Sequence, residues 1–572
     1  MRKLGLIALV LVYAASLFAA PARRGWTMRT LADGTSVEVQ QVGDEFDHYL
    51  VTRDGKMIAN APRARRAPQS IGTPTPHPRV LVILVSYSDI AINAKNTSMA
   101  IDSLMNYPGY SYNHATGSVR DYFIAQSDSQ YTPVFDVVGP VTLANNRKYY
   151  GENNSQGNDR RAGDMIKDAC KAVDGTVDFS KYDSDGNGTV DAVYVIYAGI
   201  GANDLGGVAD AIWPHQSVVS GLTLDGKSIS TYACSGEIDG YTKERCGIGP
   251  ICHEYGHAIG MPDYYGTGST SDYILGEWSV MDYGMYNNDA NTPPNYSIFD
   301  KQFMGWATVK ELKADEQKNI TLTTDYASGY KLTDGTTTYY IENRQRTGWD
   351  IALPGSGMLL WQVKYNQSAW NANHVNYTAG SPRYSVISAT YGLMTDGNVT
   401  WSTAADPFPG SQNVTSWTQV SGYAITNITQ IDGKILCKLN GGKTECTYEI
   451  LPEHCVVPDD GVLAIGNTLT LTISPEEGYM LDDAECWAVE MGNENPLLEY
   501  GVDFTYDALT NEFRIENVTD DVVIIVEAKE DQGTGLENTQ QSAISVRKIL
   551  RNGQLIIVRG GKQFNAQGVE IQ

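Results

Sequence analysis

With 572 residues and a formal net charge of −25, from 42 Lys and Arg against 67 Asp and Glu, the chain is too long for one hydrophobic core. It is also too acidic for a nucleic-acid backbone or an anionic membrane surface to be its main partner, since both select for clustered cations. Three or four folded units of about 150 residues each are expected.

The opening "MRKLGLIALVLVYAASLFAAPARR" has a charged start, an apolar run from Leu4 to Phe18 and small residues after it. This is the layout of a secretory signal peptide over residues 1–22, cleaved between Ala19 and Arg23. Export is therefore expected, and no later apolar run approaches the roughly 18 to 20 residues that span a bilayer. Residues 23–77 alternate apolar and polar side chains between Asp-Gly turns, then end in "APRARRAPQSIGTPTPHP", a stretch open to proteolysis. A small module before a nickable linker reads as a propeptide, with an ordinary N-terminal β-domain as the alternative.

Residues 78–309 combine buried-strand runs, "RVLVILVSYSDI" and "VDAVYVIYAGIGA", with two segments of helical spacing, "SVRDYFIAQSDSQY" and "RRAGDMIKDACKAVD". An α/β domain follows from that order. Residues 310–440 read as β-rich, 441–529 as an accessory β-sandwich module, and 530–572 as a polar linker and a tail of short strands around Asn-Gly and Gly-Gly turns. Eight cysteines in an exported chain are compatible with disulfides, and their connectivity stays open; for Cys170 and Cys252 a buried free thiol is an equal alternative.

The chemistry concentrates in "GPICHEYGHAIGMPDYY", Gly249 to Tyr265. Residues four apart share a helix face, so His253 and His257 can present two imidazoles to one cation with Glu254 beside them. Pro250 suits a first helical turn, Gly260 lets the chain leave the helix, and the Met261-Pro262 turn can return Asp263 as a third ligand. Three protein ligands leave a fourth position open, as in catalytic rather than structural zinc sites. Glu254, unligated, fits the general base that later returns the proton to the leaving amine. Downstream, "EWSVMDYG" spaces Ser279, Met281 and Tyr283 alternately. Met281 would supply an apolar floor under the histidines, and the Tyr283 phenol would bind the metal at rest or donate to the oxyanion.

These blocks resemble the immune inhibitor A family of secreted bacterial zinc metallopeptidases. The resemblance covers about Pro78 to Leu439 and is carried in family order by "ATGSVRDYF", "DGNGTVDAVYVIYAG", "IWPH", "CHEYGHAIGMPDYY", "WSVMDYG", "FDKQFMGW", "YYIENRQ", "PGSGMLLWQV" and "DPFPG". It implies a metzincin-like catalytic domain, so the fold class expected is multidomain: an α/β metzincin-like zinc peptidase domain followed by β-sandwich domains, with a small N-terminal propeptide. It also implies His253, His257 and Asp263 as zinc ligands, Glu254 as base and Met281 as the residue of the turn beneath them. Asp263 stands where most metzincins have a third histidine. A thermolysin-like site with a distant glutamate ligand is disfavoured by Gly260 and Asp263.

"DSDGNGTVD" places Asp183, Asp185, Asn187, Thr189 and Asp191 as alternate oxygen donors around Gly188, the pattern of a calcium loop. The twelfth position is Tyr194 rather than an EF-hand glutamate, so the alternative is a turn feeding a buried strand. Calcium is otherwise an implication of the resemblance. No cysteine precedes Cys170, so a propeptide inhibitor must act through a carboxylate of "GDEFD", such as Asp44 or Glu45, or by steric blockage, with His48 and His77 as weaker candidates. His215 in "IWPH" is given no ligand role. The tail resembles those of secreted Bacteroidetes proteins, which implies sorting by outer-membrane secretion machinery, with a stabilising hairpin as the alternative. The function expected is a secreted endopeptidase acting on protein substrates. A surface adhesin or glycan-binding protein, favoured by 35 Tyr and 10 Trp, is the rival class.

Overall fold

The computed structural model describes residues 18–30, 35–44, 47–58, 74–154, 158–205, 210–268, 274–393, 402–490, 497–531, 547–551, 554–559, 562–564 and 570–571. The chain divides into two compact units, one of residues 1–316 and 320–437, the other of 317–319 and 438–572. Among the described residues no helix is long and apolar enough to cross a membrane.

In the first unit the N-terminal segment supplies β1 (Phe18–Ala19) and an antiparallel sheet of β2 (Trp26–Thr30), β3 (Ser36–Asp44) and β4 (Asp47–Thr52). Next come β5 (Arg79–Ser86), α1 (Ser98–Asn106), α2 (Val119–Gln126) and β6 (Val134–Thr142). They are followed by α3 (Arg147–Gly151), α4 (Ala162–Val173) and β7 (Val193–Ile200). The hairpin β8 (His215–Leu224) and β9 (Lys227–Ile238) leads to α5 (Ile248–Ala258) and α6 (Ile298–Phe303).

The main sheet has the order β1-β8-β9-β7-β5-β6. Strands β6, β5, β7 and β9 run parallel, while β8 and then β1 add antiparallel to one edge. Strands covered on both faces need apolar residues at successive positions, which explains the unbroken "RVLVILV" of β5. Val80, Val82 and Leu84 pack in one cluster with Tyr194, Ile196 and residues of α1, α2 and α5. Leu81, Ile83 and Val85 pack in the other with Val193, Val195 and the Met165–Ile166–Ala169 face of α4. The two predicted helices form as α2 and α4. The start of α2 is fixed by a capping box, Ser118 receiving the Asp121 N–H while the Asp121 carboxylate receives the Ser118 N–H. The β8/β9 hairpin and β6 were not among the expected elements. The hairpin turns at Asp225 and Gly226, with φ of 47° and 74°, a two-residue turn that suits Asp-Gly.

The remainder of this unit is β10 (Lys310–Glu311), β11 (Lys318–Leu322), β12 (Gly329–Asp334), β13 (Thr337–Arg344) and β14 (Gly357–Val363), then α7 (Gln367–Asn371). It closes with β15 (Tyr384–Ser388), β16 (Gly392–Leu393), β17 (Ile425–Ile431) and β18 (Lys434–Leu439). A six-stranded sheet, β10-β12-β13-β14-β15-β16, and a three-stranded one, β11-β18-β17, result. No break in the core falls at residues 309 and 310. Ile251, Cys252 and Tyr255 of α5 share one hydrophobic cluster with Leu359, Trp361 and Tyr384 of this sheet.

The second unit holds a four-stranded mixed sheet, in which Glu445–Glu453 lies parallel to Val522–Glu527, and a three-stranded antiparallel sheet of Leu469–Thr472, Glu512–Ile515 and Phe504–Asp507. Ile450, Leu471, Phe513, Ile524 and Val526 form its core. The tail forms an antiparallel meander of four strands, Arg547–Arg551, Gln554–Arg559, Lys562–Phe564 and Glu570–Ile571. All eight cysteines are buried free thiols, so the core reading raised for Cys170 and Cys252 extends to the other six and no disulfide is formed.

Truncating a side chain at the centre of the sheet tests this packing. Ile196→Ala should cost about 2–5 kcal/mol, read as a lower urea midpoint for the unit that contains it, with the transition of the second unit unchanged.

Candidate metal centre

Helix α5 starts hard against the backbone of the 285–290 turn. A Cβ on Gly249 would stand 1.8 Å from the Met285 carbonyl oxygen, and one on Gly247 would stand 2.1 Å from that of Ala290. Only glycine fits at either place. The helix ends at Ala258, and two residues on, Gly260, whose φ of 114° disfavours any side chain, lets the chain return through Met261 and Pro262 to Asp263.

His253, His257, Glu254 and Asp263 are fully buried. His253 Nδ1 lies 2.7 Å from the Val280 carbonyl oxygen, and His257 Nδ1 lies 2.7 Å from that of Met261. A carbonyl can only accept, so both Nδ1 atoms carry the proton and both Nε2 atoms are left with lone pairs. Those two Nε2 atoms face each other at 3.1 Å, and Asp263 Oδ1 lies 3.4 Å from one and 3.1 Å from the other. The three donors lie within 4.8 Å of one another, the one such group of three or more His, Cys, Asp or Glu among the described residues. Burial pushes the His257 imidazole below its ordinary range, which favours the neutral, ligating form. Burial alone would raise the Asp263 carboxyl, but the neighbouring His257 and His253 rings hold it well below the usual range, so it is ionised and, like the two Nε2 atoms, presents lone pairs. Converging lone pairs in a buried pocket suit a cation, and two imidazoles with one carboxylate are a zinc donor set. The residues present therefore fit the metal the motif implies.

A fourth residue fixes the carboxylate, and sequence reasoning missed it. Asn373, just beyond α7, donates from Nδ2 to Asp263 Oδ2 at 2.6 Å and accepts the Asp263 N–H through Oδ1 at 2.8 Å. Its own carbonyl accepts from the Thr267 hydroxyl, and Asn376 Nδ2 donates to the Tyr264 carbonyl. The only sequence signal was an Asn-rich stretch, "NANHVN", inside a region read as strands.

Met281 is fully buried, and a Cβ on Gly256, between the two histidines, would meet its sulfur at 3.0 Å. Met281 thus packs against α5 at Gly256. Beside it Asp282, also missed, accepts the N–H groups of Ile274, Leu275 and Gly276 through one oxygen and that of Tyr283 through the other. Its carboxyl is pushed up to about 7 by burial against those hydrogen bonds. Glu254 sits on the same helix, and its charge adds to burial in driving the Tyr194 phenol well above its ordinary range. The Tyr283 hydroxyl accepts the Arg24 N–H at 3.1 Å, and the Arg24 guanidinium lies 4.6 Å above the ring.

The Asp183–Asp191 loop does not bring three carboxylate oxygens within 4.8 Å of one another. Asp183 Oδ2 accepts the Gly188 N–H and the Lys227 ammonium, the latter at 2.6 Å. Asp185 accepts from Asn187, Asn187 Oδ1 accepts the Thr189 N–H, and Asp191 accepts the Ser184 N–H. His215 bridges the Trp213 carbonyl and the Tyr232 hydroxyl, and His48 stacks on Trp213, so both are structural contacts. His77 reaches Thr132 near the surface.

The helix, the returning carboxylate and the methionine beneath them form a candidate metal centre. Residues 72–308 match the family described as "Immune inhibitor A peptidase M6, catalytic domain". The chain is similar to immune inhibitor A of Bacillus thuringiensis subsp. alesti, 28% identical over 305 residues, 43% of this chain and 43% of that protein. It is also similar to the pre-pro-metalloprotease PrtV of Vibrio cholerae serotype O1, 27% identical over 273 residues, 40% of this chain and 29% of that protein. The chain thus spans less than half the length of these relatives.

Asn373→Ala should weaken zinc binding about 10- to 100-fold, measured by competition against a chelator, because the carboxylate loses the group that aims it. An unchanged affinity would show that Asp263 is oriented without it.

Proposed function

We propose that the chain is a secreted zinc endopeptidase with a metzincin-like catalytic domain that hydrolyses peptide bonds of extracellular proteins. The observation that carries this is the buried convergence of His253 Nε2, His257 Nε2 and Asp263 Oδ1, with Glu254 on the same helix. Zinc, when bound by those three atoms, supplies Lewis acidity and a nucleophile available near neutral pH. Glu254 takes the proton of the attacking water and delivers it to the leaving amine. Met281 holds the floor, so the histidine rings keep their orientation. Tyr283 donates to the oxyanion once its hydroxyl is released from the Arg24 N–H.

That last contact supports the propeptide as the chain's own inhibitor. Before the β2–β4 sheet the segment donates the Arg23 N–H to the Asn203 carbonyl and passes Arg24 to the turn after Met281. Steric occupation agrees with these contacts. Of the two carboxylates expected to act, Asp44 is buried where β3 pairs with β4, and Glu45 lies outside the described residues. A signal peptide over residues 1–22 and delivery of the tail to outer-membrane secretion machinery belong to the same proposal. Calcium at the Asp183–Asp191 loop is proposed as a second metal, which would have to displace the Lys227 ammonium from Asp183.

Glu254→Gln tests the mechanism. Zinc stoichiometry should stay at about one per chain while casein hydrolysis falls about 10²- to 10⁴-fold. Retained hydrolysis would remove Glu254 from its role, and absence of zinc from the unaltered protein would favour the adhesin class instead.

A further inference from the structure

The side chain of Arg23 occupies a pocket that the mechanism above does not use. Along the backbone, Ala20 donates its N–H to the Pro214 carbonyl at 3.1 Å, and Arg23 donates its own to that of Asn203 at 2.9 Å. The Tyr286 hydroxyl donates to the Pro21 carbonyl at 2.6 Å. Before the signal peptide is removed this is an extended polypeptide laid against the edge of the catalytic sheet, and from Arg23 onward it leads to Tyr283, two residues beyond Met281. From that path the guanidinium of Arg23, a residue only 5% exposed, turns into a cage of acids and phenols. Nη1 binds Asp239 Oδ2 and lies 3.4 Å from Asp204 Oδ2, and Nη2 lies 3.5 Å from Asp289 Oδ1. The Tyr241 and Tyr286 ring centroids each lie 5.4 Å from its Cζ.

The cage is built by the catalytic domain itself. Asp239 Oδ1 accepts the N–H groups of Tyr241 and Thr242 and the Thr242 hydroxyl, which aims Oδ2 at the guanidinium. Asp204 is held by the N–H groups of Leu205 and Gly240. Two buried carboxylates this close together are unfavourable without a cation between them. A guanidinium between carboxylates and over aromatic faces is a matched ligand, and a Lys ammonium satisfies the same charges with less geometric fit. When the N-terminal segment leaves, the acids remain, and a polypeptide on the same path brings its own side chain to the same mouth.

We propose that the Asp204–Asp239–Asp289 pocket is a specificity subsite of the cleft that takes an Arg or Lys side chain of the substrate, Arg23 being its occupant in the unprocessed chain. The proposal rests on the peptidase function above, so its test has one arm that needs no hydrolysis. In the full-length Arg23→Ala variant the cage lacks its cation, and millimolar ethylguanidinium should raise the melting temperature by several degrees. It should leave the unaltered protein and the Arg23→Ala/Asp239→Asn double variant unshifted. In the second arm, cleavage of a peptide library by the secreted, matured protein should enrich Arg or Lys at least tenfold at one position relative to the scissile bond. Asp239→Asn should lower kcat/KM at least tenfold for an Arg peptide and less than twofold for its norleucine counterpart. Hydrolysis with no basic preference, or with one that Asp239→Asn leaves intact, would overturn the subsite. No hydrolysis of any peptide would overturn the peptidase reading, and the melting arm would then decide alone, an unshifted Arg23→Ala variant refuting the pocket.

Discussion

The structure turns on two imidazoles whose Nδ1 protons are committed to the carbonyls of Val280 and Met261. That commitment aims two lone pairs and a carboxylate oxygen at one buried point, an arrangement that repels itself unless a cation sits there. Every nearby feature serves to hold it. Glycines at 247 and 249 let α5 press onto the 285–290 turn, Gly260 lets the chain double back, and Met281 closes the floor under Gly256. Asp282 pins the turn that carries Met281 to residues 274–276 through backbone N–H groups.

The β-rich region after residue 310 is part of the same machine. Its strands share a hydrophobic cluster with α5, and the loop beyond α7 sends Asn373 back to Asp263. The carboxylate's two oxygens are thereby given different tasks, Oδ2 fixed by an amide and Oδ1 facing the histidines. A catalytic domain cut at residue 309 would lose that amide and expose part of the α5 core.

The histidine pair, the returning aspartate and the methionine were legible because helical periodicity and glycine placement are local. The unbroken apolar runs of β5 and β7 were legible for the same reason, since strands covered on both faces have no polar alternation to lose. Asn373 lies 110 residues from its partner, and no local pattern marks an amide that will meet a distant carboxylate. β6 was missed because its sequence, "VFDVVGPVT", carries Gly and Pro where a strand is not expected, and β8/β9 because its Asp-Gly turn lay between segments whose residues are unevenly patterned. The calcium pattern was legible as a turn, but spacing alone does not reveal that Lys227 neutralises Asp183. The pocket around Arg23 was equally hidden, since Asp204, Asp239 and Asp289 come together only through the fold.

Arg23 and Arg24 connect the metal centre to the segment that precedes it, one through an acidic cage and the other through the Tyr283 hydroxyl. Both contacts depend on the 283–290 turn, so occupancy of the cleft and the shape of the floor are coupled through the same short stretch of chain. The measurement that bears most directly on the whole account is anomalous diffraction at the zinc edge from crystals of the purified protein. A single strong peak bounded by His253 Nε2, His257 Nε2 and Asp263 Oδ1 is the predicted result. A peak elsewhere, or zinc held by the two histidines with Asp263 turned away, would contradict it.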